Sequence, residues 1–148
     1  MRALTLPPFV MAIAIVLMIG LNYLAPLVHL WGAPYRWLGI PLVLIGLGIA
    51  KWHADLFKAV DTNIDTFGEP DTLTTEGLFR YTRNPMYLGF VIVLVGVAVL
   101  LGSITPFLPL AGFVLLTHFW YIRYEERAML KQFGQQYVDY KSRVRRWL

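Results

Sequence analysis

Apolar residues run from Phe9 to Leu30 with no charge among them, and a helix crossing a bilayer needs about 20 such residues. A first span is therefore expected there. The stretch is too long for the apolar core of a signal peptide and no small-residue cleavage site follows, so it reads as a retained span. Trp31-Gly32-Ala33-Pro34 marks a turn, with Tyr35 and Trp37 placed as interfacial aromatics. A second span is expected from about Trp37 to Ala50, running into the polar sequence Lys51-Trp52-His53-Ala54-Asp55. A third follows from about Met86 to Leu101, and a fourth from about Phe107 to Ile122. Gly102-Ser103 and Pro106 join the last two so briefly that they form an antiparallel hairpin.

Two polar segments break this pattern. The loop from Phe57 to Pro85 has few apolar residues, and unstructured loops of that length are usually functional or disordered. In the tail, Leu130, Phe133, Tyr137, Tyr140 and Val144 recur at three- or four-residue spacing. That spacing suits a helix lying on the membrane surface or packing on the loop. The expected fold is an all-α integral membrane protein of four transmembrane helices, with a C-terminal helical hairpin and a cytoplasmic loop and tail. Residues 1–148 form one domain, with two anchor or gate spans in 1–56 and the loop, hairpin and tail in 57–148.

Composition supports the membrane reading. Of the 148 residues, 57% are hydrophobic and 15% charged, against roughly 25% charged in an average soluble domain. A soluble fold this small could not hide so much apolar surface. With no cysteine, disulfides, thiolate metal sites and cysteine nucleophiles are excluded. The net charge is +4, and of the 13 basic residues only Arg36 lies in the connections 31–36 and 102–106. The others flank the opposite ends of the spans, which places both termini and the central loop in the cytoplasm by the positive-inside rule. No basic stripe suggests a nucleic-acid partner. His29, His53 and His118 share no metal-ligand spacing, His29 belongs on the far side of the membrane, and His53 with Asp55 reads as a polar helix end. Neither a Walker loop nor a GxGxxG motif is present.

Chemistry concentrates in two places. The first is Arg80-Tyr81-Thr82-Arg83-Asn84-Pro85-Met86-Tyr87-Leu88-Gly89, at the mouth of the third span. Pro85 suits the first helical turn, and Asn84 before it is placed to cap the free N–H groups. Gly89 and Gly96 share one face, permitting close approach of a helix or a ligand. The second is Arg123-Tyr124-Glu125-Glu126-Arg127, at the exit of the fourth span. Helical steps back from Glu125 put Tyr121 and His118 on its face, while Glu126 and Arg127 read as solvated. Converging, the two motifs would make a pocket with a carboxylate, tyrosines and an asparagine, suited to a cationic ligand with an amine, a ribose and an adenine ring.

The text Leu73-Thr74-Thr75-Glu76-Gly77-Leu78-Phe79, then Arg83 to Gly89 (RNPMYLG), then Glu125-Glu126, Leu130, Phe133-Gly134, Tyr137, Tyr140 and Arg143-Val144, resembles the isoprenylcysteine carboxyl methyltransferase family. The membrane phospholipid N-methyltransferases share this resemblance, which covers roughly residues 57 to 148. It implies S-adenosylmethionine as methyl donor, in a cytoplasm-facing pocket formed by loop, hairpin and tail. Implied cofactor contacts are Thr72, Leu73, Thr74, Phe79, Asn84, Pro85, Met86, Tyr87 and Glu125. Many members carry tyrosine where Phe79 stands and histidine where Asn84 stands. The eukaryotic isoprenylcysteine enzymes carry a substrate-contacting arginine where Tyr121 stands, with Arg123 nearby here. The candidate catalytic residues are accordingly His118, Tyr121 and Arg123, and no resident metal is expected.

The expected reaction is methyl transfer to a lipophilic acceptor, either a prenylated substrate with a carboxylate or a membrane lipid. The alternatives are a phospholipid or amine N-methyltransferase, an NADPH-dependent membrane reductase, and a non-enzymatic four-helix protein. Sterol reductases of similar architecture place an acidic residue where this chain has Phe90, which argues against the reductase. The expected location is a bacterial or archaeal cell membrane, and four thin spans leave room for a homodimer.

Overall fold

The structure is a computed structural model that describes residues 6–59 and 73–148, with the side chains of 57–59 excluded. Thr72, one of the implied cofactor contacts, lies outside the described residues, as do Arg2 and most of the central loop. Among the described residues the chain is helical, and two isolated bridges are its only strand-like pairings. Helix α1 spans Pro7–Leu24 and α2 spans Gly39–Ala59. They are followed by α3 (Pro85–Leu101), α4 (Phe107–Leu116), α5 (Ile122–Phe133) and α6 (Gln135–Arg143).

Pro7–Leu24 and Tyr35–Leu56 are long and apolar enough to cross a membrane, with mean hydropathies of 2.0 and 1.4, and Pro85–Leu101 is a shorter apolar helix. Only 17% of each of the two longer segments is buried inside the protein, so their outer faces present Val16, Leu17, Leu44 and Ile45 uncovered. Exposed apolar surface on that scale marks an interaction face.

The first helix ends earlier than the apolar run suggests. Pro26 has no N–H and disfavours helical geometry at the residue before it. Ala25 accordingly leaves the helix at φ −146°, ψ 65°. The chain then runs extended beside the α3–α4 turn. Leu30 N donates to Gly102 O at 2.8 Å and Ile104 N to Val28 O at 3.0 Å. His29 pairs with Ser103 there, at the opposite end of α3 from Tyr87.

Helices α2 and α3 pack antiparallel through two glycine pairs. A Cβ on Gly46 would stand 2.6 Å from Gly89 O, and one on Gly96 would stand 2.8 Å from Gly39 O. The close approach permitted by Gly89 and Gly96 is thus taken by a helix. On its other side α3 meets α1, α4 and α5, where Met18, Leu94 and Ile122 are completely buried with Phe90, Ala98 and Phe113 around them.

Candidate active site at the entrance of α3 and the exit of α4

One helix carries the second motif. After α4 the chain makes a π turn at Thr117–Tyr121, in which the Ile122 N–H reaches back five residues to Thr117 O, and then continues as α5. The extra residue shifts the helical register. Tyr121 still shares a face with Glu125, one α-turn on, but His118 is carried round to the face of Glu126. Short insertions of this kind are frequent at functional sites.

The two motifs converge on the first face. The Tyr87 hydroxyl donates to Glu125 Oε1 at 2.6 Å, and the Tyr87 ring stacks on Tyr121 with centroids 6.3 Å apart and planes 26° apart. Phe90 meets Tyr87 edge-on at 6.4 Å. Tyr87 and Tyr121 are both buried, whereas Glu125 is half-buried at the rim. A carboxylate thus sits beside two aromatic faces at the edge of an apolar interior.

The second face builds a clamp around Glu126, whose side chain is only 12% exposed. Arg146 holds it in two bonds, Nε to Oε1 at 3.0 Å and Nη2 to Oε2 at 2.6 Å. Arg83 Nη1 lies 2.9 Å from Oε1, and Lys141 approaches to 4.0 Å. Glu126 is therefore not solvated as expected, whereas Arg127 is exposed. A buried carboxylate needs such partners to offset its desolvation.

His118 belongs to this clamp. Trp147 Nε1 donates to its Nδ1 at 3.0 Å, and Arg146 Nη1 stands 3.1 Å from its Nε2. A neutral imidazole accepts at only one nitrogen, so one of these donors is satisfied at a time. His118 thus meets the C-terminal segment, while Tyr87 bonds Glu125 and stacks on Tyr121. Arg123 is exposed with its guanidinium over the Phe119 ring at 5.1 Å, so it is not brought to the Tyr87–Glu125 pair.

The C-terminal segment is stitched to the entrance of α3. Arg83 N donates to Arg145 O at 2.9 Å, and the Asn84 side-chain amide donates to Arg146 O at 2.9 Å. Asn84 is buried and makes no side-chain cap, contrary to expectation, because that amide is engaged by the tail. Pro85 opens α3 buried, and Met86 beside it is half-buried.

Helix α6 packs on the loop, which decides between the two roles open to the tail. Tyr140 donates to Phe79 O at 2.8 Å, and Tyr137 is buried beside Arg83. Gly134, at φ 51°, provides the corner between α5 and α6. Burial raises the hydroxyl pKa of Tyr140 and Tyr137 above its usual value of 10.0, with Glu126 a further raising influence on Tyr137. Between loop and α6 lies a groove of about 430 Å³, lined in part by Leu73, Thr75, Phe79, Tyr140 and Arg143. Leu73 and Phe79 among the implied cofactor contacts line it, and the Thr74 hydroxyl beside them is buried without a hydrogen-bond partner among the described residues.

One buried residue is more than the polar helix end that its sequence suggests. His53 is fully buried, while Asp55 is exposed and pairs with Lys51 at 2.6 Å. The signal was its spacing, since His53 follows Gly46 by seven residues and so shares the α2 face that meets α3.

Comparison with known proteins completes the description. Residues 34–136 match the phospholipid methyltransferase family. Protein-S-isoprenylcysteine O-methyltransferase B of Arabidopsis thaliana is 31% identical over 132 residues, covering 84% of this chain and 66% of that protein. The mouse protein-S-isoprenylcysteine O-methyltransferase is 32% identical over 78 residues, 49% of this chain and 26% of that protein. Methanethiol S-methyltransferase of Mycobacterium tuberculosis is 29% identical over 112 residues, 73% of this chain and 44% of that protein. The chain thus spans two thirds or less of the length of these relatives.

Proposed function

Because the chain belongs to the phospholipid methyltransferase family, we propose that it is a membrane-embedded methyltransferase that moves a methyl group from S-adenosylmethionine to a lipophilic acceptor. The observation that carries this reading is the meeting of Tyr87, Tyr121 and Glu125 at 2.6 Å and 6.3 Å. Two relatives whose names specify methyl transfer to oxygen and to sulfur support the reaction class.

The residues present fit the cofactor. The Glu125 carboxylate suits its amine or ribose, and the faces of Tyr87 and Tyr121 favour a cation. The groove lined by Leu73, Thr75 and Phe79 offers room for the nucleoside, and the Thr74 hydroxyl between them has no hydrogen-bond partner among the described residues. Asn84, Pro85 and Met86 border the entrance, and Thr72 completes the proposed set. When bound, the cofactor supplies a methyl group on a positively charged sulfur.

This chain's own residues hold, orient and exclude water. Positioning is the main source of acceleration for an in-line displacement. A carboxylate acceptor is already an anion and needs no base, whereas an amine or thiol must also lose a proton. Tyr121, next to the pair, is the residue placed to assist. His118 and Arg123 enter the proposal in lesser roles, because they face Arg146 with Trp147 and Phe119 respectively. The acceptor class extends from a prenylated carboxylate to a membrane lipid. A phospholipid or amine N-methyltransferase is the second reading, supported by the family match and by Tyr121 standing where an arginine contacts the isoprenylcysteine substrate.

Membrane placement follows the same reading. Four spans, in α1, α2, α3 and the helix over 107–122, place both termini, the loop and α6 in the cytoplasm of a bacterial or archaeal cell. Residues 1–148 act as one domain, and a homodimer is compatible with the thin bundle. The test is transfer of labelled methyl from S-adenosylmethionine to a total lipid extract by purified protein. Labelled lipid from the wild type, and its loss in Glu125→Gln, support the proposal. No transfer to lipid or prenylated acceptors overturns it.

A further inference from the structure

Along the helix from Phe107 to Phe133 the exposed residues change character within a single turn. Leu108, Leu115, Leu116, Phe119 and Trp120 are apolar and exposed. Exposed beyond them are Arg123 and Arg127, with Tyr124 alongside. An apolar face that ends on aromatic rings and then on arginine follows the order of hydrocarbon, interface and headgroup in a bilayer.

Both arginines lean back towards the apolar end. Arg123 sets its guanidinium over the Phe119 ring at 5.1 Å, one turn earlier. Arg127 donates from Nε to Arg123 O at 3.1 Å, again one turn earlier. At about 1.5 Å per residue the Arg127 Cα lies roughly 10 Å beyond that of Trp120, and the backward step returns its guanidinium by about 5 Å. It therefore reaches a headgroup layer about 5–7 Å deep.

Neither arginine has a carboxylate partner among the described residues, whose ion pairs are Lys51 with Asp55, and Arg83, Lys141 and Arg146 with Glu126. Glu125 and Glu126, between them in sequence, are engaged on other faces by Tyr87 and by the Arg146 clamp. Two like charges four residues apart on a helix are neighbours and repel each other. An anion held between them removes that repulsion.

We infer that Arg123 and Arg127 bind the phosphate of an anionic phospholipid in the cytoplasmic leaflet. The fork of a guanidinium matches phosphate oxygens in geometry and charge. The site rests on the proposed membrane placement, in which this helix spans the bilayer over 107–122. Two residues turn an α-helix by about 200°, so both arginines face away from Glu125. The lipid held there is a boundary lipid and not the methyl acceptor. Lys131 continues the row of exposed cations, but its Cα lies about 16 Å beyond that of Trp120, above the headgroup layer.

The experiment is native mass spectrometry of detergent-solubilised protein titrated with phosphatidylglycerol or with phosphatidylcholine, which share a phosphate diester and differ in net charge. The wild type is expected to retain phosphatidylglycerol roughly twentyfold more tightly, at about fivefold for each basic residue near an anionic surface. Arg123→Gln and Arg127→Gln each lose about fivefold, the double variant loses the preference, and Lys131→Gln keeps it. A preference that survives in the double variant overturns the inference, as does an equal loss in Lys131→Gln, the mark of a diffuse field. Binding of a poly-glutamate peptide through the two arginines in phosphatidylcholine nanodiscs, with no preference for phosphatidylglycerol, assigns them to an acidic protein and also overturns it. Release of the protein from liposomes by alkaline washing overturns the inference and the membrane placement together.

Discussion

Arg146 grips Glu126 with two nitrogens, at 3.0 and 2.6 Å, and turns its third towards His118 at 3.1 Å. One side chain near the C-terminus thereby fixes the exit of α4 to the entrance of α3, where Arg83 shares the same carboxylate. With Glu126 12% and Arg146 23% exposed, solvent screens the pair only in part. Arg146→Met leaves a buried carboxylate short of a partner and is expected to destabilise the protein by about 3 kcal/mol. Thermal unfolding in detergent measures this, and Arg127→Met, at an exposed position, serves as the neutral control.

The glycine contacts between α2 and α3 give a sharper contrast. At Gly46 a methyl group would stand 2.6 Å from a backbone oxygen, whereas at Gly48, two residues on, nothing lies within 4 Å. Gly46→Ala is expected to lower stability by about 2 kcal/mol, the scale of overpacking. Gly48→Ala should raise it by about 0.5 kcal/mol through helix propensity alone. Equal effects in the same melting experiment would show that the helices are further apart than described.

Tyr140 ties α6 to the loop through Phe79 O, and its hydroxyl pKa is raised by burial. For an acid whose folded pKa is raised, the unfolded chain releases its proton first. The contribution is therefore whole below pH 10.0 and is lost as pH climbs from there towards the folded pKa. Melting temperature should fall as pH climbs above 10.0, and Tyr140→Phe should flatten that fall. At neutral pH the same substitution removes the hydrogen bond to Phe79 O and should cost about 1 kcal/mol.

Topology is directly testable because the chain has no cysteine. Gly32→Cys, at a position with nothing within 4 Å of the new Cβ, should react in intact cells with a membrane-impermeant maleimide. Gln136→Cys, on the exposed side of α6, should react only after permeabilisation. The reverse pattern would invert the proposed orientation.

Much of this was legible in the pattern of residues. The helix expected from Met86 to Leu101 matched almost to the residue, because Asn84-Pro85 and Gly102 punctuate both its ends. The convergence of Tyr87 with Glu125 followed from placing two polar motifs at neighbouring helix ends. What stayed hidden depends on long-range partners or on irregular backbone. The π turn at Thr117–Tyr121 has no local signature, so regular helical steps put His118 on the face of Glu125 rather than that of Glu126. Glu126 looked solvated because its partner Arg146 is 20 residues away. Asn84 looked like a cap because nothing local announces that the tail returns to engage it. Even the early end of α1 was readable only from Pro26, against an unbroken apolar run.

The central claim is that Glu125, held by Tyr87, binds the methyl donor. Equilibrium titration of S-adenosylmethionine into wild type, Glu125→Gln and Tyr87→Phe tests it most directly. The account predicts binding by the wild type, at least tenfold weaker binding by Glu125→Gln, the loss of roughly one charge-assisted hydrogen bond, and a smaller loss for Tyr87→Phe. Undiminished affinity in Glu125→Gln, with the protein folded, would contradict it.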